Sequence, residues 1–207
     1  KVHVRATRGD AKNTQNAQNS ENAENAEYDL SYDYLVLSPG AEPLVPNIPG
    51  IHSEGIFTLR SVPEADRIVE FIEQKKPKEA IVVGGGFIGL EMAENLHARG
   101  LTVTIVEALG QVMNTLDFEM AAMLHQELKA NGVALRLGVA VQRFERKGER
   151  LDVLLADGSR LEADMVLLSI GIRPDGKLAQ GAGLATAPNG AILVDKHLRT
   201  SDPSIYA

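Results

Sequence analysis

One hexapeptide constrains this chain more than any other part of it: Gly84-Gly85-Gly86-Phe87-Ile88-Gly89. It stands between a β-branched run, Ala80–Val83, and a helical pattern over Ile88–Arg99. In that pattern Leu90, Ala93 and Leu96 face inward, and Gly100 is the stop. A strand that turns straight into a helix leaves little room, so each glycine has a mechanical reason. Gly84 permits the tight turn out of the strand. Gly86, with no Cβ, lets a diphosphate approach the backbone. Gly89 lets the helix pack closely on the strand. The helix that begins there aims unpaired N–H groups and the positive end of its dipole at an anion.

From residue 79 onward the pattern alternates. Leu101–Val106 reads as a second strand and Asp117–Ala130 as a second helix, capped by Asp117 and closed at Asn131-Gly132. Val133–Leu137 is a third strand. The period then changes to two over Val139–Phe144, Leu151–Leu155 and Arg160–Glu162, with Asp157-Gly158 as a hairpin turn. Met165–Ile170 returns as a buried strand. The expected class is α/β: a Rossmann-like parallel sheet with right-handed crossovers, an antiparallel three-stranded insert and short flanking strands.

The flanks are more broken. Ser61-Val62-Pro63-Glu64 is a capping box with proline in the first turn, followed by Ala65, Ile68, Val69 and Ile72 at helical spacing. Tyr34–Leu37 predicts a short buried strand, and Pro43, Pro46, Pro49 and Gly50 an extended connector. Ile192–Val194 and Ile205–Ala207 are strand candidates. Residues 12–27 are rich in Asn and Gln and hold nothing apolar larger than Ala. Too little surface can be buried there to offset ordering, so a mobile loop is expected between Val2–Ala6 and Tyr28–Ser31. The expected division is 1–59, 60–187 and 188–207.

Eighteen residues beyond Gly89, at the end of the second strand, stands Glu107. A carboxylate there accepts both hydroxyls of an adenosine ribose and repels a 2′-phosphate. The next six residues, Ala-Leu-Gly-Gln-Val-Met, contain no arginine to rescue one. NAD(H) is therefore expected over NADP(H). S-adenosylmethionine is a rival user of this geometry, although its enzymes usually lack the third glycine. A net charge of −7, with no basic cluster larger than Lys75-Lys76-Pro77-Lys78, argues against nucleic acid and anionic membrane as partners. No apolar run approaches the roughly 18 residues of a membrane span. There is no cysteine, which excludes a disulfide, a thiolate zinc site or a cysteine nucleophile within the chain. The five histidines, His3, His52, His97, His125 and His197, show no metal-ligand spacing and are expected to be solvated or locally bonded.

Four segments together resemble the FAD-dependent pyridine nucleotide-disulfide oxidoreductases, in that family's order. They are Tyr34–Ala41 (YLVLSPGA), Gly84–Glu91 (GGGFIGLE), Ser169–Pro174 (SIGIRP) and Thr200–Ala207 (TSDPSIYA). GGGFIGLEMAENL with VEALGQVM is most similar to the branch of coenzyme A-disulfide reductases, NADH oxidases and persulfide reductases. The resemblance implies NAD(H) binding by Gly84, Gly85, Gly86 and Gly89, by backbone at Phe87 and Ile88, and by Glu107, Ala108 and Gly171. It also implies that Phe87 covers the flavin and that Glu91 sits near the nicotinamide and flavin.

The same resemblance implies that the redox cysteine, the first flavin fingerprint and a dimerisation domain lie outside this chain. No catalytic residue is then expected within it. On this reading 1–59 and 188–207 are pieces of a flavin domain around an NAD domain. The full-length protein is a cytoplasmic homodimer that passes hydride from NADH to FAD, then to a disulfide or persulfide, coenzyme A-based ones included. The acidic pI of about 5.3 and lack of disulfides fit a reducing cytoplasm. An NADH oxidase-type flavoprotein and a non-catalytic NAD-binding module are the alternatives.

Overall fold

The computed structural model describes residues 1–5 and 27–207. The expected Asn-rich loop, up to residue 26, lies outside the described residues. In chain order the first elements are β1 Val2–Arg5, β2 Glu27–Leu30, β3 Leu35–Val36, β4 Ala41–Pro43, β5 Ile56–Thr58 and α1 Val62–Lys75. Next come β6 Glu79–Val83, α2 Phe87–Ala98, β7 Thr102–Glu107, α3 Phe118–Ala130, β8 Ala134–Leu137, β9 Val141–Lys147 and β10 Arg150–Leu155. The last are β11 Arg160–Ala163, β12 Met165–Leu168, β13 Ile172–Pro174, α4 Lys177–Gly181 and β14 Ile205–Tyr206. They pack as two compact units: Ala41–Pro174, and Lys1–Gly40 with Asp175–Ala207.

The unit Ala41–Pro174 is built on a parallel sheet of five strands in the order β5-β12-β6-β7-β8. Its central strands are buried on both faces, which is why their sequences are unbroken apolar runs. Ala80, Val82, Val103, Ile105, Met165 and Leu167 pack with Ile68, Ala93 and Leu96 of the helices. The alternate residues Ile81, Val83, Val106, Val166 and Leu168 pack instead with Phe144, Leu151, Val153 and Leu155. Those four belong to the antiparallel insert, whose order is β11-β10-β9. One face of the sheet is thus covered by helices and the other by a second sheet. Each such side chain removed from water contributes about 1.5–3 kcal/mol. α1 starts as its sequence signals: Ser61 is the N-cap, and the Glu64 carboxylate accepts the Ser61 N–H at 3.2 Å.

Three short strands were not legible. β4, at the start of the expected connector, and β13, in the SIGIRP motif, form a two-stranded antiparallel ribbon, with Ile172 opposite Pro43 and Pro174 opposite Ala41. A lone ribbon leaves each strand an unpaired side, where proline costs no ladder bond. β5 adds to the sheet edge beside β12. It is in the same sheet as β6, so the packing division falls at 40/41 where the sequence suggested 59/60, and at 174/175 where it suggested 187/188.

In the other unit, β1 pairs antiparallel with β2, and β3 pairs parallel with β14. Ala179, Leu184 and Ile205 form a small core with Tyr32, Leu35, Leu37 and Ile192. The expected buried strand Tyr34–Leu37 is corrected here. Only Leu35–Val36 is strand, and Tyr34 and Val36 are 72% and 69% exposed. A pair of two-residue strands cannot cover both of its faces. The expected strand at 192–194 is likewise only an isolated bridge between Thr186 and Ile192.

In the insert, Asp152 is a buried acid, 1% exposed. Lys147 Nζ lies 2.8 Å from one carboxylate oxygen and Arg160 Nη2 lies 2.7 Å from the other. The Lys147 hydrogen bond holds its carboxyl below the ordinary carboxylate range against the opposing effect of burial, and the charges of Arg160 and Lys147 add to it. A depressed folded pKa means stability that is present above the unfolded carboxylate range and lost as pH falls through the folded value. Urea unfolding from neutral pH to about pH 2 should show the native chain more stable than Asp152→Asn at neutrality, with the gap closing in acid. A second expectation concerns close approach. A Cβ on Gly89 would sit 2.0 Å from the Gly84 carbonyl oxygen and 2.7 Å from Ser169 Oγ. Gly89→Ala should lose about 1–3 kcal/mol of stability or more in the same assay.

Candidate nucleotide-binding site

The site is assembled where the sheet changes direction. From β6 the chain runs through α2 to β7 and α3 to β8 on one side. It then crosses through the insert to β12 on the other side of β6. The chain leaves β6 into α2 and leaves β12 through Ser169–Gly171 to β13, so the strand order reverses between these two neighbours and a crevice opens beyond their C-terminal ends.

Backbone from both neighbouring strands grips the glycine turn. The Gly84 N–H donates to the Val106 carbonyl at 2.8 Å, and the Ser169 N–H donates to the Val83 carbonyl at 2.8 Å. Ser169 Oγ lies 3.1 Å from the Gly84 carbonyl oxygen and 3.2 Å from that of Val83, to which its hydroxyl can donate. Gly84 has φ +107°, and a Cβ on it would lie 2.3 Å from the Ser169 carbonyl oxygen. No other residue type fits there. Gly86 contrasts with it. It is the N-cap of α2, and a Cβ on it would meet nothing within 4 Å. The space above its backbone is open, and the first-turn N–H groups of α2 have no intrahelical carbonyl to reach.

Glu107 closes β7 and is tied to this turn. One carboxylate oxygen accepts the Gly85 N–H at 2.6 Å and the other accepts the Leu109 N–H at 2.8 Å. The acid is thus part of the turn structure rather than a solvated strand end. A cavity of about 470 Å³ opens beside it. Its wall comprises Gly84 and Gly86 from the first turn, Glu107 to Leu109 from the second, and Ser169 to Gly171 after β12. Pro46, Ile48 and the insert residues Val141 and Phe144 complete it, with Asn114 at one edge.

Of the residues singled out in the sequence, Gly84, Gly86, Glu107, Ala108 and Gly171 meet on this wall. Gly85 is buried beneath it, and Gly89 is packed between helix and strand. Phe87, Ile88 and Glu91 do not line it; Phe87 is 70% exposed and the other two are also exposed. In the sequence Ser169 is legible only as part of the SIGIRP motif; its hydroxyl clamp on the turn comes from the structure. A serine two residues before the glycine of SIGIRP was the available signal. The roles of Leu109 and Asn114 left no signal in the sequence, because they depend on how the loop after β7 folds back.

Among the described residues no helix is long and apolar enough to cross a membrane. A model of the pyridine nucleotide-disulphide oxidoreductase family matches residues 2–207. The reduced CoADR-RHD of Bacillus anthracis is 49% identical with a TM-score of 0.84, over 88% of this chain and 32% of its own. The NAD-dependent persulfide reductase of A. fulgidus is 41% identical with a TM-score of 0.82, over 87% of this chain and 33% of its own. An NADH oxidase of Methanocaldococcus jannaschii is 38% identical over 87% of this chain and 40% of its own length. The chain thus spans well under half the length of each of these relatives. It belongs to the pyridine nucleotide-disulphide oxidoreductase family.

Proposed function

We propose that Ala41–Pro174 is the NADH-binding unit of a flavoprotein oxidoreductase. Lys1–Gly40 and Asp175–Ala207 are then pieces of its flavin domain. The observation that carries the reading is Glu107, held by two N–H groups at the rim of a glycine turn whose middle glycine faces open space. Each carboxylate oxygen has two lone pairs, so one backbone bond apiece leaves capacity for both hydroxyls of an adenosine ribose. Gly86 backbone and the first turn of α2 would take the diphosphate. A cavity of about 470 Å³ is within the usual range for a small-molecule site. Gly171, with φ +122°, would bring backbone to the nicotinamide end. Phe87 and Glu91, exposed on the first turns of α2, are available to meet the nicotinamide and the flavin from outside the cavity.

FAD, when bound, supplies the hydride acceptor and the route of electrons to a disulfide, a persulfide or oxygen. This chain's own work is to bind and orient the reduced dinucleotide. The names of its relatives support a disulfide or persulfide acceptor, coenzyme A-based ones included, with an oxidase as the second reading. In this reading the full-length protein is a cytoplasmic homodimer.

The test is cofactor choice by titration calorimetry. The chain should bind NADH at least about tenfold more tightly than NADPH, because Glu107 would face the 2′-phosphate. Glu107→Gln keeps an acceptor for one N–H and removes the charge, so it should narrow that preference. Equal affinity of the native chain for both would sink the assignment of Glu107. Gly86→Ala should cost about 1 kcal/mol of stability or less, since its Cβ meets open space, yet weaken NADH binding at least about tenfold. Unchanged NADH affinity in that variant would remove the diphosphate from the turn.

A further inference from the structure

We propose that His125 is a positioning residue of the dinucleotide site: its Nε2 holds the turn after β7 in the shape that Gly85 and Glu107 require, and protonation releases that hold. The inference rests on the dinucleotide reading above.

The turn after β7 is tied down by several contacts, among them the Gly138 N–H, which donates to the Leu109 carbonyl at 2.8 Å. Leu109 donates its N–H to Glu107 at 2.8 Å, and Met113 donates its own to the Gly85 carbonyl at 2.8 Å. Between them, the Val112 N–H donates to His125 Nε2 at 3.1 Å. Val112 is fully buried, and a Cβ on Gly85 would lie 2.9 Å from its Cγ1, so its side chain presses directly on the glycine turn. Met113 follows with φ +49°, a left-handed conformation that a non-glycine residue adopts only when its surroundings impose it. The imidazole is therefore one of few contacts that keep this turn against the glycines, and it reaches in from α3, a separate element.

An imidazole nitrogen accepts an N–H only when it carries no proton, so His125 must be neutral with its proton on Nδ1. The imidazolium has donors only, and the buried Val112 N–H would then face another donor. The surroundings favour the neutral form. Burial lowers the His125 pKa first, and the charge of Lys129, one turn further along α3, lowers it again. The facing turn, residues 108–116, has no ionisable side chain; Glu107 and Asp117 bound it. Arg136, the one charge on β8, acts on Asp157 in the other direction. The edge of the Phe118 ring covers the imidazole at 6.4 Å between centroids. A ligand seated on Glu107, Ala108 and Leu109 uses the turn in its tied form. By linkage it must favour neutral His125, and neutral His125 must favour it.

The probe is ADP-ribose, the acid-stable part of the dinucleotide, titrated into the full chain between about pH 5 and pH 8. Native affinity should fall about three- to tenfold toward the acid end, the worth of one hydrogen bond. His125→Gln should bind with no such pH dependence, because its amide oxygen reaches where Nε2 reaches and does not titrate. Equal slopes in the two proteins, or a flat native profile, would overturn the proposal. Should the variant fail to fold, the imidazole of native His125 can be followed by NMR with and without ADP-ribose. The ligand should lower its pKa, and an unchanged value would overturn the proposal just as firmly. A native chain that binds no ADP-ribose even at neutral pH defeats the dinucleotide reading itself, and this inference with it.

Discussion

The hydrogen bond from Gly85 N–H to the Glu107 carboxylate joins the two turns that close β6 and β7, which stand side by side in the sheet. Parallel strands are hydrogen-bonded only along their lengths, and beyond their ends nothing obliges the loops to stay together. Here an acid at the last position of one strand reaches the second residue of the turn after the other. Its second oxygen then fixes the start of its own loop through Leu109. Ser169 does the equivalent on the opposite side of β6, through its hydroxyl and its backbone. Three strand ends are therefore locked to one glycine turn before any ligand arrives. That is preorganisation in a concrete sense: ordering that would otherwise be charged against binding has been done in folding.

The space that a Cβ would need sorts the glycines. At Gly84 and Gly89 a Cβ would collide with backbone, so glycine is required by the protein's own packing. At Gly86 it would collide with nothing, so packing gives no reason for glycine there. On the proposed reading, a position that needs no glycine for the fold, yet has one in the middle of such a turn, leaves room for something that approaches from outside. That asymmetry is a stronger argument for a bound diphosphate than the spacing of the glycines alone.

Much of this was legible in the sequence because the core strands are short apolar runs bounded by glycine, and the helices carry their caps. The insert announced itself by a change of period and by Asp157-Gly158. What escaped were elements too short to have a period. β5 has three half-buried residues, and β4 and β13 each carry a proline that argues against a strand in any sheet but a ribbon. Tyr34–Leu37 misled for a different reason: an apolar run states a preference for burial but does not supply a partner. At the candidate site, Gly84, Gly86, Gly89 and Glu107 were legible as candidates from spacing. The contacts that hold them were not, since they join residues 22, 85 and 13 positions apart, from Glu107, Ser169 and His125 respectively. Such pairings follow from sheet order and loop shape, neither of which is local.

On the proposed reading Glu107 has a double use, and that use limits how its specificity can be altered. If the carboxylate served only the ligand, exchanging it for a neutral or basic side chain would change the preferred nucleotide and little else. Because it also satisfies the Gly85 and Leu109 N–H groups, a side chain with no acceptor leaves both without that partner; the exposed Leu109 N–H can turn to water, while the half-buried Gly85 N–H costs about 1–3 kcal/mol. A basic residue placed there would add donors to a place already full of them. On that reading the positive charge for a 2′-phosphate would come from position 108 or 109, since Gln111 already donates its side-chain amide to the Leu116 carbonyl. On the proposed reading selectivity and architecture meet in one carboxylate, so neither changes independently of the other.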